Sequence, residues 1–162
     1  MKFDKIEELG KFSRPITFYS DGSSRPNHSG WAWYSPELNI FNRKVLKDKT
    51  NNFCELSAFI DCLTFIIKSE KIHKNKIFVY CDSEYVLNTY TSWIDMWKKN
   101  GWKKKDGREI LNLDLIKIIY ELKKNISSKK MDIQFIHVNS HQSDKSIINY
   151  CNNLVDYLAN MD

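Results

Sequence analysis

The chain has 162 residues, of which 42% are hydrophobic and 14% aromatic, enough apolar material for the core of one ordinary domain and too much for a disordered chain. The formal net charge of +5 favours an anionic partner, although a modest lysine excess is often only a solvated surface. No apolar run approaches the about 18 to 20 residues of a membrane helix, and the charged N-terminus is unlike a signal peptide. We therefore expect a soluble intracellular protein, cytoplasmic or nuclear, with no membrane contact.

The cysteines indicate a reducing compartment. They are scattered through apolar segments and form no CxxC or other metal-binding spacing: Cys54, Cys62, Cys81 and Cys151. We expect all of them to be reduced thiols in the core.

The first predicted strand ends at an acidic residue. A short charged lead-in, residues 1–14, precedes it, and one domain is expected over residues 15–162. The apolar run from Ile16 stops at Asp21 and Gly22, which predicts a buried strand that passes into a loop there. Open α/β sheets place ligands at such strand ends, so Asp21 is a candidate magnesium ligand.

A meander and a helix are predicted next. The β-rich runs 31–34 and 40–46 have short connections and predict antiparallel pairing with the first strand. From Asn51 the apolar residues recur at helical spacing, which predicts a helix with one buried face. Glu55 lies on the flank of that face. Its carboxylate either interacts favourably with the positive N-terminal end of the helix or is directed at a ligand. The residues alone favour the first interpretation.

A second strand repeats the design of the first. Residues 76–83 are β-prone, and the run ends at Asp82. Because a long helix separates the two strands, the right-handed crossover rule predicts that they are parallel neighbours and that Asp21 and Asp82 share one edge of the sheet. Asp82 could instead be only the cap of the following helix, which is the usual role of a single Asp in that position.

The segment 93–108 has the most unusual composition in the chain. Its three tryptophans interleave with six cations. Indole rings supply stacking surface and cations meet phosphates, a combination that grips a nucleic-acid backbone without reading its sequence. The alternative is an amphipathic helix that packs Trp93 and Trp97 on the core, followed by a solvated lysine turn. We expect both descriptions to hold in part.

The end of the chain carries two candidate residues. A helix from Asn112 and a last strand over residues 131–138 lead to a polar segment with His141, which is expected near the same sheet edge. Asp156 lies among the apolar residues of the final helix. Spacing alone does not distinguish either residue from an ordinary surface residue.

Ordered motifs span nearly the whole chain: residues 21–23 (DGS), 50–58 (TNNFCELSA), 82–86 (DSEYV), 97–103 (WKKNGWK), 112–115 (NLDL), His141 and 156–159 (DYLA). With these motifs, residues 16–160 resemble type 1 ribonuclease H, a magnesium-dependent nuclease that cuts the RNA strand of an RNA/DNA hybrid. The resemblance implies an α/β, ribonuclease H-like fold. Its five-stranded mixed sheet, an antiparallel meander plus two parallel strands, would be flanked by helices.

The resemblance also implies a catalytic tetrad that binds two Mg²⁺ ions, for which Mn²⁺ can substitute: Asp21, Glu55, Asp82 and Asp156. Asp21 and Asp82 would be the central ligands, and hard carboxylate oxygens suit magnesium. Two ions about 3.5 to 4 Å apart can activate a water and stabilise the charge that develops during phosphodiester hydrolysis, leaving 5′-phosphate and 3′-hydroxyl ends. His141 resembles a loop histidine that assists proton transfer or product release.

Substrate contacts are implied in the same way. Asn27, Asn52 and Glu55 match positions that read the 2′-hydroxyls of the RNA strand. Thr50 and Asn112 match a pocket for a phosphate of the DNA strand.

Trp93 would pack against DNA sugars, which lack the 2′-hydroxyl. The other matched residues form a basic protrusion that points to activity as a free-standing, monomeric domain: Lys98, Lys99, Trp102, Lys103, Lys104, Lys105 and Arg108.

Three functions are compatible with these residues. The first is an active endonuclease on RNA/DNA hybrids. The second is a catalytically silent module that only binds hybrid, against which the presence of all four acids argues. The third is another nuclease of the same fold, such as an integrase, in which segments 50–58 and 93–108 are not expected.

Overall fold

The structure is a computed structural model that describes residues 14–139 and 146–162. Within these residues the strands form one mixed sheet in the order β3-β2-β1-β4-β5. The strands are β1 (Ile16–Arg25), β2 (His28–Ser35), β3 (Ile40–Leu46), β4 (Ile77–Cys81) and β5 (Ile133–His137). The helices are α1 (Asn51–Lys68), α2 (Glu84–Asn88), α3 (Ile94–Lys99), α4 (Leu113–Ser128) and α5 (Ile147–Asn160), with a π-helical turn, Thr89–Trp93, between α2 and α3.

The strand pairing confirms the predicted architecture. β1 and β2 are antiparallel, as are β2 and β3. β4 runs parallel to both of its neighbours, β1 and β5. A parallel pair cannot be closed by a tight turn, and α1 is the long crossover that joins β3 to β4.

The expectation that the first strand ends at Asp21 is wrong. β1 continues to Arg25 because its antiparallel pairing with β2 continues to the pair Arg25 and His28. The parallel pairing with β4, in contrast, stops at the pair Ser20 and Cys81. Asp21 therefore lies inside β1, at the point where the strand loses its partner on one side.

Helices cover both faces of the sheet. One face packs Phe18, Trp33 and Val79 with the apolar side of α1, and the other packs Tyr19, Tyr80 and Ala32 with α5. The rings of Tyr19 and Tyr80 stack at a centroid distance of 4.8 Å. Side chains alternate along a strand, so Asp21 shares the α5 face with Tyr19.

The expectation of buried, reduced cysteines is confirmed within the described residues. All four cysteines are buried free thiols. In the part of the chain that the structure describes, no helix combines the length and the apolar composition that crossing a membrane requires.

A close backbone contact sets the distance between β1 and α1. A Cβ atom on Gly22 would lie 2.7 Å from the carbonyl oxygen of Cys54, and closer still to the backbone nitrogen of Glu55. These neighbours are backbone atoms of the second turn of α1 and cannot rotate away. Only glycine lets the helix approach the strand at this point.

We predict that Gly22→Ala lowers the free energy of unfolding by about 3 kcal/mol, because the strand and the helix must separate to admit the methyl group. Urea denaturation followed by circular dichroism measures the loss. Gly101→Ala is the matched control: its Cβ meets nothing within 4 Å, and its φ of +67° costs about 1 kcal/mol. Equal losses in the two variants would contradict a steric role for Gly22.

Candidate active site

Three carboxylates from three different elements meet at the edge of the sheet. Asp21 in β1, Glu55 in α1 and Asp82 after β4 each offer an oxygen, and these oxygens all lie within 4.8 Å of one another. Asp21 is 3% exposed and Glu55 is 5% exposed, while Asp82 is half-buried. The predicted approach of Asp21 and Asp82 is observed, because the register that pairs Ser20 with Cys81 brings the next residue of each chain side by side.

The alternative roles of Asp82 and Glu55 are not observed. Ser83, not Asp82, caps α2, because its hydroxyl accepts the backbone N–H of Val86 at 3.2 Å. Glu55 is buried beside the two aspartates rather than exposed at the helix end. Thr50 is the residue that caps α1, and its hydroxyl accepts the N–H of Phe53 at 3.1 Å. Neither carboxylate caps a helix, so both are available to bind a ligand at the sheet edge.

Burial and like charge disfavour ionisation of the cluster. Burial, and then the charges of Glu55 and Asp82, raise the pKa of Asp21 well above its ordinary value. Burial, and then the charge of Asp82, raise the pKa of Glu55 to about 8, and burial raises the pKa of Asp82 as well. A nearby cation would reverse this balance and stabilise all three carboxylates.

The cluster fits a divalent cation. Its donors are carboxylate oxygens, the hard ligands that such ions prefer. The Oε2 atom of Glu55 is buried and has no hydrogen-bond partner among the described residues, so that one acceptor is left for a ligand. The backbone N–H of Gly22 donates to Oδ1 of Asp21 at 2.9 Å and orients that carboxylate. Asp21, Glu55 and Asp82 could together hold a metal ion.

Asp156 lies beside this cluster but outside the group of three. It is exposed on α5. A side-chain hydrogen bond with Asp156 is among the smaller causes, after burial and the charges of Glu55 and Asp82, that raise the pKa of Asp21. Its charge acts on Glu55 and Asp82 as well. The structure thus brings the fourth predicted acid close to the other three.

One histidine near the site was missed by the sequence reasoning, and another cannot be placed. His137 ends β5 next to Asp82, whose carbonyl oxygen lies 3.2 Å from its Nε2 atom. Burial raises the pKa of Asp82, and the charge of His137 opposes this rise. The feature that reveals the position of His137 is the register of β5 on β4, in which His137 pairs with Cys81. His141 lies outside the described residues.

Trp93 and Trp97 line a groove on the surface, called the tryptophan groove below. The rings of Trp93 and Trp97 are 5.7 Å apart and half-buried, as the combined prediction for segment 93–108 requires. Two cavities of about 470 and 240 Å³ adjoin these rings, and Lys104 lines both. Asn52 lines the smaller cavity and Lys105 the larger.

Trp102 has a different environment from the other two tryptophans. Its ring packs edge-on against Tyr120 of α4 at 5.5 Å. The ammonium groups of Lys98 and Lys117 lie 6.0 and 5.8 Å from its centre. Trp102 therefore connects residues 98–108, called the basic segment below, to the core. Two further residues predicted to contact the substrate, Lys99 and Lys103, are exposed.

The other predicted substrate residues lie at element ends. Asn27 is exposed at the tip of the β1–β2 hairpin with a φ of 65°, and it lines a polar groove of about 630 Å³. Thr50 is exposed at the start of α1, and Asn112 precedes α4 with a φ of 57°. A side-chain hydrogen bond joins Asn112 to Tyr85, which borders the tryptophan groove.

The comparisons with known proteins identify the family to which this mixed sheet with its acidic cluster belongs. The model of the RNase H family matches residues 13–162. The chain belongs to the RNase H family.

Curated relatives extend over most of the chain. A ribonuclease H of Tropheryma whipplei is 36% identical over 124 residues, which are 75% of this chain and 71% of the relative. A ribonuclease H of Clostridium botulinum is 32% identical over 155 residues, which are 91% of this chain and 94% of the relative. Among solved structures, the foamy viral protease-reverse transcriptase in complex with RNA/DNA hybrid shares the fold, with a TM-score of 0.69 at 21% identity. The match covers 98% of this chain and 20% of that chain.

We predict that the metal-free protein loses stability as the pH rises. The pKa of Glu55 is about 8 in the folded protein and near its ordinary value of 4.5 in the unfolded chain, so the folded state binds the proton more tightly. The resulting stabilisation is complete below the unfolded pKa and disappears as the pH rises through about 8. Urea denaturation in EDTA across this range measures it.

Glu55→Gln should flatten that pH dependence and stabilise the metal-free protein at alkaline pH by roughly 1 to 3 kcal/mol. Asp132→Asn, at an exposed position before β5, is the control and should leave the slope unchanged. Parallel pH profiles for the wild type and Glu55→Gln would contradict the assigned cause.

Proposed function

We propose that this protein is an endonuclease that hydrolyses the RNA strand of RNA/DNA hybrids with two bound Mg²⁺ ions. The observation that carries this proposal is the cluster of Asp21, Glu55 and Asp82 in a chain of the RNase H family. The partly satisfied carboxylate of Glu55 and the raised pKa values of the cluster support a metal-binding role. The foamy viral structure bound to RNA/DNA hybrid supports the choice of substrate.

The four acids would divide the work of holding the metal. Asp21 and Asp82 would be the central ligands, and Glu55 and Asp156 would complete the two sites. When bound, Mg²⁺ supplies an activated water and stabilises the charge on the phosphate and on the leaving 3′-oxygen. Gly22 contributes through its N–H, which keeps the Asp21 carboxylate oriented. His141 would assist proton transfer or product release.

Selection of the hybrid would depend on groups around the acids. Asn27, Asn52 and Glu55 would contact the 2′-hydroxyls of the RNA strand, which distinguish it from DNA. Thr50 and Asn112 would bind a phosphate of the DNA strand.

The tryptophan groove and the basic segment would hold the DNA strand. Trp93 offers an apolar wall that fits sugars without a 2′-hydroxyl. The surrounding cations would contact phosphates and release their counterions, which makes binding dependent on salt: Lys98, Lys99, Lys103, Lys104, Lys105 and Arg108. Trp102 would support this segment from the core side. We propose that the protein acts as a monomer.

We predict that Asp21→Asn and Asp82→Asn each reduce cleavage of a labelled RNA/DNA hybrid by more than about 100-fold, because an amide is a weaker ligand for Mg²⁺ than a carboxylate. Initial rates in saturating Mg²⁺ measure this, with Asp132→Asn as the surface control. Retained cleavage in both site variants would contradict the tetrad. A wild-type protein that binds hybrid but leaves it uncut in both Mg²⁺ and Mn²⁺ would instead indicate a binding module.

We predict that replacing Lys103, Lys104 and Lys105 by Gln weakens hybrid binding and flattens its salt dependence. The log–log slope should fall by roughly 0.9 for each phosphate that the variant no longer neutralises. Fluorescence anisotropy at several salt concentrations, in EDTA to prevent cleavage, measures both quantities.

The matched control for this lysine variant removes the same charge at the far end of α4. Lys124, Lys129 and Lys130 are exposed there and line neither cavity of the tryptophan groove. Their replacement by Gln should change the slope much less. An unchanged affinity and slope in the first variant would show that residues 103–105 are only a solvated surface.

A further inference from the structure

The side chain of Asn160 links the predicted fourth acid to the strand that carries the first. Its Nδ2 atom donates to the carboxylate Oδ1 of Asp156 at 3.3 Å and to the carbonyl oxygen of the same residue at 2.8 Å. Its Oδ1 atom accepts the hydroxyl of Ser23 in β1 at 2.6 Å. Ser23 and Asp156 lie on opposite sides of one amide group.

The two oxygens of Asp156 decide which way this amide faces, and the hydroxyl of Ser23 binds its other end. An amide oxygen can only accept and an amide NH₂ can only donate, so the two ends are not interchangeable. The carbonyl and carboxylate oxygens of Asp156 can only accept, so the NH₂ group faces Asp156 and the oxygen of Asn160 faces β1. The hydroxyl of Ser23, which can donate or accept, then donates to that oxygen. The amide donor is thereby presented to the carboxylate before any metal binds.

The end of α5 is held against the sheet by separate contacts. The last carbonyls of a helix have no partner within the helix. Here Arg43 donates to the carbonyl of Leu158 at 3.0 Å, and Arg25 donates to that of Asn160 at 3.1 Å. The ring of His28 lies 2.8 Å from the carbonyl of Ala159. These contacts come from β1, β2 and β3, so the backbone that carries Asn160 is fixed relative to Asp21.

Asp156 needs such a partner more than the other acids do. Asp21 and Glu55 are enclosed by the fold, whereas Asp156 is exposed and can rotate into water, away from three groups of like charge. A hydrogen bond from an oriented amide offsets that tendency. Residues that orient metal ligands in this way commonly change metal affinity or activity by about 10- to 100-fold when they are removed.

We propose that Asn160 is a positioning residue that holds the carboxylate of Asp156 toward the other three acids, and that Ser23 anchors the other end of its amide. This inference rests on the proposed function for its catalytic consequence, but the conformation of Asp156 can be measured without catalysis.

Asn160→Leu removes the donor at nearly constant volume. The Mg²⁺ concentration for half-maximal cleavage should rise about 10-fold or more, with less than about a 2-fold change in KM for the hybrid. Ser23→Ala should cause a smaller shift in the same direction. Ser23→Thr should leave the wild-type value unchanged, because threonine keeps the hydroxyl and is favoured in strands. Once Asn160 is Leu, Ser23→Ala should add nothing further.

The matched control is Asn125→Leu in α4. Asn125 makes the same kind of bond to the carbonyl four residues earlier, that of Glu121, at 3.1 Å, and Glu121 is not one of the predicted acids. This variant should lose similar helix stability in thermal melts and leave the Mg²⁺ dependence unchanged. An equal shift in the Mg²⁺ dependence of both Leu variants would overturn the proposal.

NMR scalar couplings of Asp156 in the metal-free protein give a readout that needs no activity. We expect one χ1 rotamer in the wild type and in Ser23→Thr, and averaged couplings in Asn160→Leu. Couplings that are the same in all variants would overturn the positioning role, whether or not the protein cleaves hybrid. Averaging in Asn160→Leu together with an inactive wild type would support the positioning role and contradict only the proposed function.

Discussion

The mutual repulsion of the acids at the sheet edge is the constraint that the surrounding elements must overcome. Three carboxylates have oxygens within 4.8 Å of one another, and two of them are almost fully buried. Burial raises the pKa values of all three, and the charges of Glu55 and Asp82 raise that of Asp21 further, so the ionised acids oppose folding. No single element could hold them together against that repulsion. One carboxylate lies in a strand, one in a helix and one after the end of a strand. The stability of the whole fold therefore offsets the free-energy cost of bringing the three charges together.

The frame around the acids is correspondingly rigid. β1 is paired on both sides up to Ser20 and on one side beyond it, which leaves Asp21 anchored yet open toward β4. The absence of a side chain on Gly22 lets α1 approach, and Glu55 enters the cluster for that reason. On the face of the sheet opposite α1, the rings of Tyr19 and Tyr80 stack on each other and pack beneath α5. Small backbone distances thus determine the spacing of the charges.

The molecule separates its charges into two regions with opposite effects on a nucleic acid. The tryptophan groove and the basic segment attract a phosphate backbone, whereas the acid cluster repels it until cations neutralise the carboxylates. The basic side is itself tied to the core, because Lys123 of α4 donates to the carbonyl of Tyr90 at 2.6 Å and to the carboxylate of Asp95 at 2.9 Å. This contact lies at the π-helical turn that precedes Trp97 and its helix.

The elements and two of the four acids, Asp21 and Asp82, could be predicted from the residues alone. Hydrophobic periodicity and the crossover rule predicted that Asp21 and Asp82 would meet, because both depend on short-range patterns and on chirality. Those patterns favoured a charge at the helix end for Glu55, which is instead buried beside the two aspartates. They could not distinguish Asp156 from a surface residue, and only the family resemblance selected it. The folded chain was required to show where β1 ends, how Glu55 enters the cluster and that Asn160 contacts both Ser23 and Asp156. Distance along the chain explains the difference: the Ser23 and Asn160 side chains are 137 residues apart, and only the packing of α5 on the sheet makes them neighbours.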